Sequence, residues 1–283
     1  MIELKNEKLT LLINETGAEL TSVKNRDGRE YIWCGDPAIW SGHCPVLFPV
    51  CGRLRNGQYT YEGRTYSMKN HGFARRKTFE AKKLSDTEAI FSLREDEETL
   101  AEYPFRFLFV VRFLLKDDAL AISYSVHNTD DKALLFNFGS HEGFATEGNF
   151  EDWSVEFEQT ENLALRATPI LGFLNGETVP FRDNVKELPL CYALFENDAM
   201  IFDRLRSRRV TLKQKGKPVV EVGFAGFDPL LLWTKLGAPY LCIEPWNGIP
   251  DYVDASGVLS EKNGIRRLAT GETFAMTHTL RFF

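Results

Sequence analysis

Hydrophobic and polar residues alternate with a period of two along most of the chain. In "ALAISYSVHN", Leu120, Ile122, Tyr124 and Val126 share one face, and the positions between them are small or polar. Because successive side chains of a strand point to opposite faces, this pattern predicts a half-buried strand. "FRFLFVVRFLL", residues 105–115, repeats it with phenylalanine, valine and leucine on one side. We therefore expect strands that close a shared apolar core.

Further runs of the same kind continue to the end of the chain, among them "WSVEFEQ", "PVVEVGF" and "TFAMTHTLRFF". Turn signals such as Asp27-Gly28, Asn56-Gly57 and Glu62-Gly63 separate the runs. Helical patterning is scarce, and "DEETLAEY" is the best candidate for one or two helical turns. The sequence thus predicts an all-β fold, a large antiparallel sandwich or barrel with few short helices. No linker interrupts it, so we expect residues 1–283 to form a single domain.

Composition and charge narrow the class of partner. The 283 residues are 43% hydrophobic and 13% aromatic, which is enough for a large core without disulfides or metal. The net charge of -6 arises from interspersed acids and bases without a basic stripe, so no nucleic-acid partner is expected. The N-terminus lacks the features of a signal peptide, and "FLFVVRFLL" is too short to span a bilayer. We expect a soluble, cytoplasmic protein with no membrane partner.

The cysteines favour neither a disulfide framework nor a metal site. There are five, Cys34, Cys44, Cys51, Cys191 and Cys242, an odd number at irregular spacing. His43, Cys44 and Cys51 lack the matching second half of a zinc site. We expect buried, reduced thiols and no metal. Glycine-rich nucleotide-binding motifs and the nucleophile elbow of serine hydrolases are also missing from the sequence.

Polar residues at the expected ends of strands are the candidates for chemistry. They are Arg53 in "GRLRNG", His71 in "NHGFAR", His141 in "GSHEGF" and Glu244 in "CIEPWNG". His71 lies between Asn70 and a glycine, which predicts a turn. His141 is expected to end the strand "LLFNFG". A rigid scaffold can present such side chains to a ligand.

Glu244 follows Tyr240 and Cys242 on one face of its predicted strand, and Pro245 is expected to end that strand. The carboxylate would then lie at the strand's end beside Trp246, whose flat ring can stack on a sugar. A solvated glutamate on an edge is the alternative. His278 shares a face with apolar residues of the last run, which predicts a histidine in the core.

Taken together, "GAEL", "NHGFAR" and "LWTKLGAPYLCIEPWNGIPD" resemble the aldose 1-epimerase (mutarotase) family, and within it the bacterial LacX-like branch. The similarity runs over essentially the whole chain. It implies a large antiparallel β-supersandwich and the interconversion of the α and β anomers of a free aldose by acid–base ring opening and reclosure. It also implies a small-molecule sugar as partner, no cofactor, and a monomer or homodimer.

The resemblance implies roles for individual residues. His141 matches the catalytic acid, Glu244 the catalytic base and His71 the histidine that grips the substrate. Many relatives carry proline after the strand-end histidine, whereas Glu142 follows His141 here, and whether Glu142 joins the site stays open. The residues expected to bind the sugar are Arg53, Asn70, Trp246 and Asp198, with Asp203 as a competitor for the role of Asp198.

Three other functions stay open at this point. An epimerase of hexose 6-phosphates would need cations for the phosphate, and Lys69, Arg75 and Arg76 flank His71. A carbohydrate-binding protein without turnover would use the same pocket. A glycoside hydrolase would pair two carboxylates, such as Glu142 with Glu244 or Asp251.

Overall fold

The computed structural model describes residues 1–283, and most of the chain lies in antiparallel strands. One α-helix, α1 (Glu97–Glu102), and several short 3-10 turns complete the chain. The strands are β1 (Ile2–Lys5), β2 (Leu9–Asn14), β3 (Glu19–Asn25), β4 (Val46–Leu47), β5 (Gln58–Tyr61), β6 (Arg64–Ser67), β7 (Glu80–Ser85), β8 (Glu88–Arg94), β9 (Phe107–Lys116), β10 (Ala119–Asn128), β11 (Leu134–Phe136), β12 (Phe138–Ser140), β13 (Glu142–Ala145), β14 (Trp153–Arg166), β15 (Thr178–Pro189), β16 (Met200–Phe202), β17 (Arg209–Gln214), β18 (Lys217–Gly223), β19 (Leu230–Trp233), β20 (Tyr240–Asn247), β21 (Arg266–Leu268) and β22 (Thr273–Phe282).

A 15-stranded sheet dominates the architecture. Its main path runs β4-β12-β20-β19-β16-β14-β17-β18-β22-β10-β9-β8-β7, with β13 paired to β20 and β15 paired to β14. A three-stranded sheet, β1-β2-β3, and the two pairs β5-β6 and β11-β21 complete the layers. The predicted all-β, antiparallel fold is confirmed.

The two-residue alternation of the sequence corresponds to the inner and outer faces of the sheet. In β10, Leu120, Ile122, Tyr124 and Val126 are buried, as the pattern predicts. The register places Ile122 opposite Phe113 of β9, so apolar residues of adjacent strands share one face. Aromatic rings fill the space behind them, and the rings of Phe48 and Phe109 stack with centroids 4.5 Å apart.

Helix α1 forms where "DEETLAEY" predicts one. Asp96 caps its start, because its side chain accepts a hydrogen bond from the Thr99 amide at 2.7 Å. The Thr99 hydroxyl accepts in return from the Asp96 amide at 2.8 Å. This reciprocal cap satisfies amides that the first helical turn leaves without partners. No helix has both the length and the apolar character needed to cross a bilayer.

The structure corrects two expectations about strand ends. Strand β20 does not end at Pro245 but continues to Asn247 in the interior of the sheet, between β12 and β19. Proline removes one amide donor, and the ladder resumes at once because the Trp246 amide donates to the Pro229 carbonyl at 3.0 Å. His141 does not end one long strand either, since it joins two short strands, β12 and β13.

The cysteines also depart from expectation in one respect. All of them are free thiols, and Cys44, Cys51 and Cys242 are buried. Cys34 is exposed and Cys191 is partly buried, so the expectation of buried thiols is wrong for these two positions.

Candidate active site

A pocket of about 200 Å³ lies where the ends of several strands meet their connecting loops. Its wall includes every residue that the sequence assigned to catalysis or binding. These are Arg53, Asn70, His71, His141, Asp198, Glu244 and Trp246. A wider cleft of about 880 Å³ adjoins the pocket and shares Arg53 and Asn70 with it.

Glu244 is a buried carboxylate rather than a solvated one. It is 1% exposed, because β20 lies in the interior of the sheet. The Trp246 indole, two residues further on the same face, donates to Glu244 Oε2 at 3.1 Å. Burial raises the pKa of Glu244 well above its usual range, and the Trp246 hydrogen bond opposes part of that rise. A carboxyl group of this kind is suited to proton exchange near neutral pH.

His141 faces this carboxylate. Its Nε2 lies 3.4 Å from Glu244 Oε2, and both side chains are almost completely buried. The Trp40 ring stacks on the imidazole with centroids 5.1 Å apart, which fixes the plane of the ring. Burial is the largest cause that lowers the pKa of His141 well below its usual range, and the charges of His71 and Arg75 lower it further. The junction of β12 and β13 thus brings a second buried titratable side chain beside the first.

His71 reaches the pocket from a strained turn. Its φ of 65° lies in the left-handed region, which costs a residue with a side chain roughly 1–2 kcal/mol. Gly72 follows at φ 71°, where a Cβ atom would lie 2.2 Å from the Phe48 carbonyl oxygen, so only glycine fits. This close approach of the backbone to Phe48 brings the His71 side chain to the pocket.

The hydrogen bonds of His71 define its tautomer. Its Nδ1 accepts from the Gly52 amide at 3.2 Å. Burial, with the charges of Arg75 and Arg53, lowers the pKa of His71 to about 3, so the ring is neutral at neutral pH. A neutral imidazole that accepts at Nδ1 carries its hydrogen on Nε2. His71 is therefore equipped to donate a hydrogen bond to a ligand oxygen.

The choice between Asp198 and Asp203 follows from their positions. Asp198 lines the pocket, in a turn that precedes β16. Asp203 lines a different cavity, where it pairs with Arg166 at 3.0 Å. Only Asp198 is placed to contact a ligand beside Glu244.

Two other carboxylates considered from the sequence lie outside the pocket. Glu142 points to the opposite face of the sheet, where its Oε1 lies 2.7 Å from His278 Nε2. Asp251 forms a buried ion pair with Lys262 at 3.0 Å. Neither residue lines the pocket that contains Glu244 and His141. The carboxylate pairs that would have supported a glycoside hydrolase are therefore not formed there.

Sequence reasoning missed some pocket residues. Trp40 comes from a loop and Trp233 from the end of β19, and neither lies in a motif that would have marked it. Arg75 also lines the pocket, although its place in "NHGFAR" suggested only a phosphate contact. Thr168 is a further polar residue of the pocket wall that the sequence did not mark.

One group of potential metal ligands overlaps the pocket. Donor atoms of His141, Cys242 and Glu244 lie within 4.8 Å of one another. Burial raises the pKa of the Cys242 thiol well above its usual range, so the group is protonated at neutral pH. Because the thiolate and not the thiol is the metal ligand, a metal ion bound there would have to displace this proton.

The chain is similar in sequence to known proteins over most of its length. The family model described as aldose 1-epimerase matches residues 1–263. The chain is 34% identical over 286 residues to the chromosomal protein LacX of Lactococcus lactis subsp. lactis, which covers 96% of each chain. This chain therefore belongs to the aldose 1-epimerase family, and the relationship to LacX predicted from the sequence is confirmed.

Solved structures agree with this assignment. A galactose mutarotase related enzyme from Lactobacillus acidophilus has a TM-score of 0.94 and 32% identity, and the match covers 100% of this chain and 97% of the other. A galactose mutarotase-like protein from Lactobacillus casei has a TM-score of 0.94 and 29% identity over 100% of both chains. A galactose 1-epimerase from Lactobacillus acidophilus, at 16% identity and a TM-score of 0.72, shares the fold. The fold is thus the galactose mutarotase-like β-sandwich that the resemblance implied.

Proposed function

We propose that this protein is an aldose 1-epimerase that interconverts the α and β anomers of a free aldose. The observation that carries the proposal is the buried pair His141 and Glu244, whose facing atoms lie 3.4 Å apart in the pocket. The reaction exchanges protons at two oxygens of one carbon, the hydroxyl O1 and the ring oxygen O5. It therefore needs two proton-transfer groups side by side, which this pair provides.

The proposed reaction begins with ring opening. Glu244 takes the proton of the O1 hydroxyl while protonated His141 gives a proton to O5, and the C1–O5 bond breaks to leave an open-chain aldehyde. Rotation about the C1–C2 bond presents the other face of the carbonyl group. On reclosure His141 takes the proton from the O5 hydroxyl, Glu244 returns one to O1, and both residues regain their starting states.

The burial of the pair favours the ring-opening half of this cycle. Ring opening converts a carboxylate and an imidazolium into a carboxylic acid and a neutral imidazole, so opposite charges cancel. Burial favours the neutral forms of both residues, which raises the pKa of Glu244 and lowers the pKa of His141. The pair holds one proton throughout, and the rate follows the fraction of protein in that state.

The remaining pocket residues bind the sugar in this proposal. His71 donates from Nε2 to a sugar oxygen, and Arg53, Asn70 and Asp198 bind hydroxyl groups. Trp246 contributes an aromatic surface in addition to its hydrogen bond with Glu244. These contacts orient C1 toward the acid–base pair.

The test is polarimetry with freshly dissolved α-D-glucose and α-D-galactose, with buffer catalysis subtracted. Glu244→Gln retains the shape of the side chain but cannot take a proton, so the catalysed rate should fall about 100-fold or more. His141→Asn should impair turnover in the same way. Glu161→Gln is the matched control, because Glu161 is a buried carboxylate that does not line the pocket. Near-normal anomerisation by folded Glu244→Gln protein would refute the assignment of the base.

A sugar phosphate is the second candidate substrate, and two cations favour it. Arg75 lines the pocket and Lys69 lines the adjoining cleft, and neither forms an ion pair within the chain. A phosphate dianion prefers such partners. Arg76, the third cation near His71, lines neither cavity. Comparison of kcat/KM for glucose and glucose 6-phosphate, in wild type and Lys69→Met, distinguishes the two substrates.

Binding without turnover is the remaining alternative. A protein of that kind would bind the sugars in calorimetry but leave the rate of optical rotation at the buffer value. Any catalysed anomerisation that depends on Glu244 excludes it.

A further inference from the structure

A second buried pair, Glu142 and His278, lies behind the proposed acid–base pair. Glu142 is 0% exposed and His278 is 1% exposed. Glu142 Oε1 lies 2.7 Å from His278 Nε2 and also accepts from the Ser140 hydroxyl. Carboxyl groups are almost never buried to this degree without a partner, because desolvation of the charge is costly. The proposed reaction as described above does not use this pair.

The strand register connects the two pairs. Glu142 of β13 pairs with Ile243 of β20. The residues next to this pair along the two strands are His141, which precedes Glu142, and Glu244, which follows Ile243. Since neighbouring residues of a strand point to opposite faces, the acid–base pair faces the pocket and Glu142 faces the core. The two backbone segments that carry the acid–base pair therefore also carry Glu142, on the opposite face of the sheet.

We propose that Glu142 is a positioning residue for the reaction: its buried carboxylate, held by His278 and Ser140, places a negative charge behind Glu244. The inference rests on the proposed function of Glu244 as a base. The charge of Glu142 acts through the sheet and does not contact the sugar.

The surroundings of Glu142 leave its charge little screened. Its other oxygen, Oε2, is buried without a hydrogen-bond partner, and so are Nδ1 of His278 and the hydroxyl of Tyr124. The Tyr124 ring stacks on His278 with centroids 5.6 Å apart. The titratable groups near Glu142 on its own face of the sheet are His278 from β22, Tyr124 from β10 and Cys44 from the segment before β4, whereas Cys242 from β20 lies on the pocket face beside Glu244.

The effect on Glu244 has a definite sign. Burial raises the pKa of Glu244 most, and the charges of Glu142 and Asp198 raise it further. The hydrogen bond from Trp246 and the charge of Arg75 lower it. His141 and Cys242 are the other titratable groups within 4.8 Å of the Glu244 carboxylate. Removal of the Glu142 charge should therefore allow Glu244 to lose its proton at lower pH.

The experiment measures the ionisation of Glu244 without sugar turnover. The Trp246 indole N–H donates to Glu244, so its NMR signal reports the protonation of that carboxyl group. The signal is assigned with Trp246→Phe and followed with pH in wild type, Glu142→Gln and the control Glu161→Gln. Gln retains the size of Glu142 and its hydrogen-bonding ability but carries no charge.

We expect the midpoint to move to lower pH in Glu142→Gln and to stay unchanged in Glu161→Gln. The alkaline limb of the anomerisation rate, where the pair loses its last proton, should move with it. An unchanged or higher midpoint in Glu142→Gln would mean that the Glu142–His278 pair carries no charge that acts on Glu244, which would overturn the inference.

A second variant covers the case in which Glu142→Gln does not fold. His278→Gln retains Glu142 but removes the imidazole that pairs with it, and a carboxyl group buried without that partner takes up a proton. The midpoint should therefore fall, as expected for Glu142→Gln, and a midpoint at or above the wild-type value contradicts the inference. Because the NMR signal needs no substrate, a wild-type protein without epimerase activity would refute the proposed function and leave this measurement interpretable.

Discussion

The imidazole of His71 reaches the pocket in a defined protonation state. Its Nδ1 is occupied by the Gly52 amide, and its pKa of about 3 keeps the ring neutral. It can donate from Nε2 but cannot serve as a cation at neutral pH. His141 differs, because its Nε2 faces a carboxyl group and not a backbone amide. In our proposal the two histidines, with centroids 5.6 Å apart, therefore have separate roles, His71 as hydrogen-bond donor and His141 as proton carrier.

The pH dependence of the rate follows from the shifted pKa values of the pair. Activity requires one proton on the pair, so the profile should be bell-shaped, and both limbs belong to the pair. Burial lowers the pKa of His141, so a second proton binds only below the usual histidine value of about 6.5. Burial raises the pKa of Glu244, so the last proton leaves above the usual glutamate value of about 4.3.

We therefore expect activity to persist at pH 6 and to decline on the acid side of that value. The measurement is kcat/KM for anomerisation across pH by polarimetry, with buffer catalysis subtracted at each pH. In Glu244→Gln the residual rate should lose the acid limb, because only His141 then remains to titrate and it must keep its proton to act as the acid. An acidic limb at or above about pH 6.5 would contradict the depressed pKa of His141.

At the scale of elements, the sequence predicted strands well because one face of each strand is buried. The bounds of β10 coincide with the run "ALAISYSVHN", and α1 lies within "DEETLAEY". The course of β20 could not be predicted, because periodicity does not reveal which strands flank it. Those neighbours, β12 and β19, allow the strand to pass Pro245 and bury Glu244. The placement of Asp198 and Asp203 in different cavities likewise depends on contacts between residues distant in sequence.

The segment that carries Arg53 is held by a buried ion pair. The Asp251 amide donates to the Arg53 carbonyl at 2.9 Å. Asp251 Oδ2 accepts from the Arg55 amide at 2.9 Å, and Oδ1 accepts from Lys262 Nζ at 3.0 Å. Lys262 also donates to the Ile249 carbonyl. Asp251 thus links the Arg53 segment to the loop that follows β20.

Asp251→Asn should therefore weaken both folding and sugar binding. It leaves the buried Lys262 without its counter-charge, which should lower the free energy of unfolding by about 3–5 kcal/mol. KM should rise more than kcat falls, since Arg53 binds the sugar in our proposal and the acid–base pair is untouched. Urea denaturation and polarimetric kinetics measure the two effects.

The matched control is the double variant Asp251→Asn with Lys262→Met, which removes both buried charges. It should be more stable than Asp251→Asn alone, because the cost arises from an unpaired ammonium group. A double variant that is no more stable than the single one would show that the ion pair does not hold this segment.

Across the whole molecule, strands distant in sequence are adjacent in the sheet. β4, β12 and β20 are successive neighbours, and so are β18, β22 and β10. The pocket draws on this arrangement, since its residues extend from Trp40 to Pro250. The hydroxyl of Tyr31 also donates to the carbonyl of Phe283 at 2.6 Å, which joins an early loop to the end of the last strand.

We propose on this basis that residues 1–283 form a single domain, and we expect one cooperative unfolding transition. No division of the chain between β4 and β22 leaves the main sheet intact, because its path crosses repeatedly between early and late strands. Partial unfolding would therefore expose strand edges and core together. Differential scanning calorimetry at neutral pH should give equal calorimetric and van't Hoff enthalpies. Glu161→Gln, which removes a carboxylate that binds Ser207, should lower the transition temperature without splitting the peak. Two resolved transitions, or a calorimetric enthalpy well above the van't Hoff value, would show that the sheet contains independently folding units.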